Sequence, residues 1–286
     1  MAAISVIRLK NLGHICIQLS LFVASSFYAL SRREHVALAL WLATLIATPI
    51  VLWSTDESIF PLLASLGVLT HVVVTICMLA RAWSLRQLIR AGGVVLIGAW
   101  AIEVVGVHTG LPFGDYMYSA MLQPQLGGVP LLIPLAWLMM LPPAWAVAEV
   151  ILPYQQEESR CQHCPLIWAA LAGAAFTAWD LFLDPQMVER GLWKWSAPGE
   201  YLGIPLLNFL GWWLAATLLT AVVRPRGIPR AALLLVYTLT CIFQAIGLGI
   251  FWEQPVAALC GSVAMGGFAL IAWIKEGLSW KRSSGR

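Results

Sequence analysis

Two aspartates four residues apart are the clearest chemical signal in the sequence. Asp180 and Asp184 stand at the end of an apolar stretch, and on a helix they would share one face with Cβ atoms about 5–6 Å apart. Pro185 predicts that the helix ends at Asp184. Because like charge, poor hydration and the helix dipole make it costly for both carboxyls to ionise, we expect one protonated acid beside one carboxylate. Such a pair suits general acid–base chemistry, and a hydrogen-bonded structural cap is the alternative.

Glu103 is the second acidic candidate. It and Asp180 are the two acids well inside apolar stretches, and no Lys or Arg lies there. Ionisable groups in such places are expensive and mark functional sites, although a buried Glu can also simply bond a neighbouring helix. His108 and Asp115 follow in the sequence as further candidates, His108 also being compatible with a boundary position.

The elements that must position these residues are predicted to be membrane helices. Of 286 residues, 60% are hydrophobic and 11% are charged, against about 25% charged in soluble domains. Runs that are free of charge, or carry one carboxylate, recur at close to the roughly 20 residues that cross a bilayer as a helix. We predict an all-α, polytopic bundle of about nine spans, eight being possible, in one integral membrane domain over residues 1–286. The nine runs are Asn11–Ser31, His35–Thr55, Ser58–Ala80, Gly92–His108, Val129–Ala148, Leu166–Leu183, Ile204–Val223, Ala231–Trp252 and Val256–Ile274.

The placement of Lys and Arg predicts the orientation of the chain. With nine spans, thirteen of the 17 Lys and Arg residues fall on one side of the membrane and four on the other. By the positive-inside rule the richer side is cytoplasmic, which places the N-terminus outside and the C-terminus inside a cell (inner) membrane. Arg8 and Lys10 oppose this placement. Followed by an apolar run and Ala24-Ser25-Ser26, they leave a cleaved signal peptide as an alternative.

Two long loops on the predicted outer side, Gly110–Gly128 and Asp184–Gly203, end in nearly the same phrase. Each phrase begins with Gly-x-Pro, which predicts a helix start because proline is tolerated in the first turn. We interpret the pattern as an internal repeat of span, loop and span within a core at residues 92–223, framing a site near the outer side; chance similarity is the alternative. The phrases are Gly128-Val-Pro-Leu-Leu-Ile-Pro-Leu-Ala-Trp137 and Gly203-Ile-Pro-Leu-Leu-Asn-Phe-Leu-Gly-Trp212, identical at six of ten positions with an offset of 75 residues.

Aromatic residues are dense in these two loops. Trp and Tyr favour the membrane interface in any case, and they would also suit a site that holds a polyene or shelters a cation. The candidates are Phe113, Tyr116, Tyr118, Trp193, Trp195 and Tyr201.

Metal and redox chemistry have little support in the sequence. The five histidines are scattered, without the clustering that a membrane di-iron oxygenase needs, and no phosphate-binding glycine loop follows a strand. Cys161-Gln-His-Cys164 could be half of a zinc site, but the sequence offers no second ligand pair. We therefore expect chemistry without a cofactor, no metal site and no nucleic-acid partner.

Several stretches of the core resemble the membrane carotenoid hydratases of the CruF type. The similarity lies between about Glu103 and Trp213. The stretches that carry it are Gly110-Leu-Pro-Phe-Gly-Asp-Tyr-Met-Tyr118, the phrase from Gly128 to Trp137, Ala178-Trp-Asp-Leu-Phe-Leu-Asp-Pro-Gln-Met-Val188, and Tyr201-Leu-Gly-Ile-Pro-Leu-Leu-Asn-Phe-Leu-Gly-Trp212.

The resemblance implies addition of water to the terminal double bond of an acyclic ψ-end carotenoid, giving a tertiary alcohol. The alkene must be protonated and the tertiary cation trapped by water, which requires a neutral acid, a proton acceptor, apolar walls and electrostatic cover. We expect Asp180 or Asp184 to be the acid, with its partner or Glu103 orienting water and Asp115 as a further candidate. The substrate-binding set then comprises His108, Phe113, Tyr116, Tyr118, Trp179, Trp193, Trp195, Tyr201 and Asn208.

Two other functions remain compatible with the sequence. A small-solute or proton-coupled transporter would also have a repeat and acids within the membrane, and a water path through both leaflets would identify it. A protein that binds carotenoid without chemistry, as an assembly partner of other biosynthetic enzymes, would leave the pigments unchanged. In the hydratase interpretation the partner is the carotenoid within the bilayer, with other carotenoid-biosynthesis enzymes as further candidates.

Overall fold

The computed structural model describes residues 23–153 and 164–284. Eight helices in these ranges are long and apolar enough to cross a membrane, which confirms the predicted all-α bundle. The first predicted span, Asn11–Ser31, falls mostly outside the described residues, as do Arg8, Lys10 and Cys161. The helices are α1 (Arg32–Ser54), α2 (Phe60–Leu79), α3 (Leu85–Thr109), α4 (Leu132–Ile151), α5 (Cys164–Glu189), α6 (Leu206–Val223), α7 (Arg230–Ile246) and α8 (Pro255–Ser284).

Short β-strands organise the two long loops. Strand β1 (Tyr116–Tyr118) pairs antiparallel with β4 (Trp193–Trp195), so that the two loops are joined to each other. Strands β2 (Gln125–Leu126) and β3 (Val129–Pro130) form a small hairpin that leads into α4. The pairing fixes the loop aromatics above the helices that carry the acids.

The two repeated phrases have similar backbone at their first residues and contact each other. Gly128 and Gly203 both have positive φ, of 78° and 87°, a conformation that glycine adopts at little cost, and each leads into the start of a helix. The equivalent tryptophans Trp137 and Trp212 stack on each other with ring centroids 4.8 Å apart. The two phrases therefore meet at their last residues.

The β1–β4 pair joins the two copies on the loop side of the bundle. Tyr116 pairs with Trp195 and Tyr118 with Trp193, so the central residues Met117 and Lys194 face each other. The strands are 77 residues apart in the sequence, and the same offset relates Glu103 to Asp180. The two intramembrane acids thus stand at the same distance in sequence before the paired strands.

Helices α3 to α6 form the central four-helix unit, in which α3 packs on α4 and α6, and α5 packs on α4 and α6. Helix α4 is at the centre of the whole bundle, since it also contacts α2, α7 and α8 and all its residues from Ile133 to Val150 are buried except Leu135. Helix α1 packs along α2 at the periphery. The repeats build the core, and α1, α2, α7 and α8 enclose it.

The prediction that α5 ends at Asp184 is wrong, because the helix continues through Pro185 to Glu189. Proline has no N–H to donate to the carbonyl four residues earlier, which here belongs to Leu181. The hydroxyl of Tyr201 donates to Leu181 O at 2.9 Å instead. Since a side chain satisfies the freed carbonyl, the helix survives the proline, as membrane helices do when a neighbour supplies the bond.

A side chain also replaces a missing helical hydrogen bond in α4. Pro143 leaves the carbonyl of Met139 without its helical donor, and Thr75 Oγ1 on α2 donates to Met139 O at 2.9 Å. At Pro185 and at Pro143, a side chain from another element therefore supplies the bond to the carbonyl that the proline leaves without its helical donor.

Candidate functional site

The two aspartates of α5 share one hydrogen-bond donor. Asn208, in the first turn of α6, donates through Nδ2 to Asp180 Oδ2 at 3.0 Å and to Asp184 Oδ2 at 2.5 Å. Asp184 Oδ1 also accepts from Trp193 Nε1 at 3.0 Å. Asp180 is fully buried and Asp184 is 2% exposed. The i, i+4 spacing does place both carboxyls on one face of a continuous helix, as the sequence predicted.

The environment of Asp180 differs from that of Asp184. Asp180 Oδ1 is buried and has no hydrogen-bond partner among the described residues, and Asp180 does not reach the wall of the adjacent cavity, whereas Asp184 does. A buried acid oxygen without a donor is costly for a carboxylate. Because Asp180 does not reach the cavity, it could influence a molecule bound there only through its neighbours.

Glu103 is held by three donors from two elements, strand β1 and helix α4. Its Oε2 accepts from Tyr116 at 2.6 Å and from Tyr118 at 2.8 Å, both through the phenol hydroxyl. Its Oε1 accepts from Trp137 Nε1 at 3.2 Å. A carboxylate has about four acceptor positions, so the contacts leave one on Oε1. The interpretation that Glu103 bonds neighbouring elements is correct, and it leaves room for one further donor.

The tyrosines that hold Glu103 stay protonated. Burial, and next the negative charge of Glu103, raise the pKa of Tyr116 and of Tyr118 far above the ordinary value for tyrosine. Both hydroxyls are consequently donors throughout the physiological pH range. Their position on β1 explains how the loop pairing sets the orientation of an acid on α3.

Asp184 and Glu103 both reach one cavity of about 490 Å³, and they are close enough for their charges to interact. The polar part of the cavity wall also includes Asn208, Gln186 and Gln244. Most of the other side chains on the wall are aromatic or aliphatic. Such a cavity offers two carboxyl groups in an apolar, aromatic-walled space. The sequence-predicted residues on its wall are Glu103, Phe113, Tyr116, Tyr118, Trp179, Asp184, Trp193, Trp195 and Asn208.

Besides Asp180, three of the predicted residues are not on this wall. Asp115 is exposed on the loop and contributes its backbone carbonyl to Ser196 N. His108 is exposed at the end of α3, where Nδ1 bonds Val104 O at 2.9 Å. Tyr201 supports α5 as described above. His108 bonds its own helix, whereas Asp115 and Tyr201 contact segments distant in the sequence. Residue type and position in the sequence do not reveal these contacts.

Sequence reasoning also missed residues that the structure brings to the site. Trp137 holds Glu103, and Trp212 lines the cavity; their identical place in the two repeated phrases was the available signal. His71 on α2 and Trp41 on α1 line the far end of the cavity and stack with centroids 4.3 Å apart. Nothing in the sequence links these two, because they come from separate spans.

No group of three or more His, Cys, Asp or Glu side chains that could hold a metal ion occurs in the described part of the chain. Asp180, Asp184 and Glu103 are bound by donors from Asn, Trp and Tyr side chains.

Comparison with known proteins gives two matches. A family described as carotenoid biosynthesis protein matches residues 62–268. Over 133 residues the chain is 29% identical to a bisanhydrobacterioruberin hydratase from Haloarcula japonica; the alignment covers 45% of this chain and 43% of that protein, so it spans less than half the length of this relative. No solved structure matches.

Proposed function

Because the chain belongs to the carotenoid biosynthesis protein family, we propose that it is a carotenoid hydratase, a multi-pass membrane hydro-lyase that needs no cofactor. Its substrate class is acyclic ψ-end carotenoids, such as lycopene, γ-carotene or a bacterioruberin precursor. The hydratase named above is a relative with this type of activity. The observation that carries the proposal is that Asp184 and Glu103 face one aromatic, largely apolar cavity.

The proposed reaction adds H and OH across the terminal 1,2 double bond. Protonated Asp184 donates its proton to C2, where the π electrons form the new C–H bond, and C1 becomes a tertiary cation. A water oxygen attacks C1 and passes its extra proton to Glu103, which has an acceptor position left on Oε1. Return of that proton to Asp184 restores the site, and the product is a tertiary alcohol.

The surroundings of the two acids fit their proposed roles. Asn208 holds Asp184 and Asp180 together, so Asp180 is a positioning residue that acts through Asn208. Trp193 and Trp212 are on the cavity wall, where aromatic rings can stabilise a cation. Apolar walls keep other nucleophiles away from C1.

Pigment analysis in a heterologous host tests the proposal. Hosts that make lycopene or γ-carotene, with and without this chain, are compared by liquid chromatography and mass spectrometry. We expect a new, more polar pigment heavier by one water. We expect Asp184→Asn to lower its formation by about 10²–10⁴-fold, the usual contribution of a general acid, while the matched surface variant Asp115→Asn behaves as the native chain.

The outcomes separate the functions. An unchanged pigment profile with several ψ-ended substrates, and the protein present in the membrane, refutes hydration. Pigment that copurifies with the protein unchanged would then indicate a binding or assembly protein. Solute uptake into vesicles would indicate a transporter.

A further inference from the structure

The cavity extends well beyond the two acids, along helices outside the four-helix unit. One face of α2 contributes Phe60, Ala64, Gly67 and His71, which are spaced by three or four residues and therefore lie in one line along the helix. Phe60 is the first residue of α2, and His71 is eleven residues further along, or about 16 Å at 1.5 Å per residue. The cavity is thus a passage that runs from the loop side towards the middle of the bundle.

Helix α1 forms the opposite side of this passage. Trp41, Leu45, Pro49 and Trp53 line it at steps of four residues. None of the lining residues from α1, α2 and α7 is an acid or a Lys or Arg. The chemistry of the passage therefore changes along its length, from carboxyls and amides at one end to hydrocarbon and rings over the rest.

The passage is open sideways between α1 and α7. Ile46, Ile50 and Trp53 of α1 line it and are nevertheless 53%, 55% and 68% exposed, and Ile246 of α7 is 41% exposed. A residue that belongs to an internal wall and is also exposed marks an opening. Because these helices cross the membrane, the exposed apolar edges face lipid.

Both edges of the opening have irregular helical backbone. Pro49 removes the hydrogen bond to the carbonyl of Leu45 on α1. On the other edge α7 ends in a π-helical turn, Gly247–Phe251, a feature that is frequent at functional sites. The rings of Trp53 and Phe251 meet across the opening with centroids 5.3 Å apart, so the two edges touch at one point.

We infer that the isoprenoid chain of the substrate enters from the bilayer through the α1–α7 opening and lies along the α1–α2 passage, with its end group at Asp184. The inference rests on the proposed function for the identity of the chain. A long, uncharged hydrocarbon chain is the occupant that matches an uncharged passage open to lipid at one side and ending at two carboxyls. A lipid acyl chain lacks the terminal alkene that the carboxyl end can protonate.

Substitution of Gly67 tests whether the chain occupies the passage. Gly67 lines the passage, and a Cβ added there meets nothing within 4 Å. Gly67→Phe therefore fills the passage without a clash at Cβ. Gly267 on α8 is the matched control: it also has open space within 4 Å and does not line the passage. Both substitutions are made with Asp184→Asn, which retains bound substrate, and the polyene that copurifies from a lycopene-producing host is measured per protein.

We expect Gly67→Phe to reduce the bound polyene by about tenfold or more, the change that corresponds to ~1.4 kcal/mol of binding, and Gly267→Phe to leave it unchanged. Equal polyene in the two variants would overturn the inference, as would phospholipid found in place of polyene. Polyene bound in the passage without any hydrated product from the native chain would instead reject the proposed function and retain the passage.

If Gly67→Phe does not fold, reversible closure of the opening by a cross-link provides a second test. Asp184→Asn protein carrying Trp53→Cys and Phe251→Cys is prepared without pigment, joined by a short reducible thiol cross-linker, and mixed with lycopene-containing vesicles. Uptake of polyene should fall about tenfold or more on cross-linking and recover on reduction. Proteins that carry only one of the two substitutions should show no change in uptake. Uptake that is unaffected by cross-linking would overturn entry at this position.

Discussion

Hydrogen-bond geometry gives the three buried acids different capacities. Asp184 reaches the cavity and is bound by an indole and an amide. Asp180 shares the amide but lies behind the wall. Glu103 accepts three hydrogen bonds and keeps one acceptor position on Oε1. Under the proposed function Asp184 is the proton donor because it lies on the cavity wall, Asp180 positions it, and Glu103 is the acceptor because of this remaining position.

Substitution of Glu103 tests its role as acceptor. Glu103→Gln should lower formation of the hydrated pigment by about 10²-fold or more, since a carboxamide is a poor base. It should also destabilise the protein by about 1–3 kcal/mol, because its NH₂ would face donors that it cannot satisfy. Pigment analysis and thermal unfolding in detergent measure the two effects.

Tyr118→Phe is the comparison for that substitution. It removes one of three donors to Glu103 and keeps the carboxylate, so we expect a loss of about 1 kcal/mol in stability and a much smaller loss of product. Native-like conversion by Glu103→Gln would exclude Glu103 as the acceptor.

Individual elements keep their shape through bonds from other elements. Helix α5 passes through Pro185 because Tyr201 donates to Leu181 O, and α4 passes through Pro143 because Thr75 donates to Met139 O. The Tyr201 bond keeps α5 helical past Asp184, so that Asp184 lies on the same helical face as Asp180. Secondary structure at the site is thus a product of tertiary contacts.

A double-mutant cycle measures this dependence. Tyr201→Phe leaves the carbonyl of Leu181 without a donor and should cost about 1–3 kcal/mol of stability in an apolar setting. In a Pro185→Ala background the residue at 185 supplies its own N–H, so Tyr201→Phe should cost clearly less. Thermal unfolding of the four proteins gives the coupling, and a coupling of zero would show that Tyr201 does not replace the missing bond.

Across the whole molecule, the two copies of the repeat contribute different acids. Glu103 and Asp180 are equivalent under the 77-residue offset, but the equivalent of Asp184 is Val107. One copy therefore provides an adjacent pair of acids and the other a single acid. Under the proposed function, the pair supplies the proton donor and the single acid is the acceptor.

The orientation of the whole molecule is a prediction from charge that labelling can test. Met117 on β1 is 52% exposed on the loop side, and Arg226, between α6 and α7, is exposed at the other end of the bundle. We expect a membrane-impermeant thiol reagent to label Met117→Cys in intact cells and Arg226→Cys only after lysis, with the native chain as the blank. The reverse pattern would place the paired loops in the cytoplasm.

The sequence by itself determined the class of fold, because the length and polarity of a membrane helix are set by the thickness and polarity of the bilayer. It also singled out the three acids, because charge is rare and costly in such a chain, and about half of the aromatic residues on the cavity wall. The i, i+4 relation of Asp180 and Asp184 followed from helical geometry alone. The repeated phrase indicated that two similar segments would frame one site.

Only the tertiary structure decided which groups act together. The continuation of α5 past Pro185 depends on Tyr201, a residue outside the helix. Asp184 reaches the cavity wall and Asp180 does not. His71 and Trp41 belong to the cavity because α1 and α2 lie side by side, so that the two rings stack. Contacts between distant segments have no fixed spacing in the sequence, since they arise from packing of side chains in three dimensions, and so local patterns could not predict them.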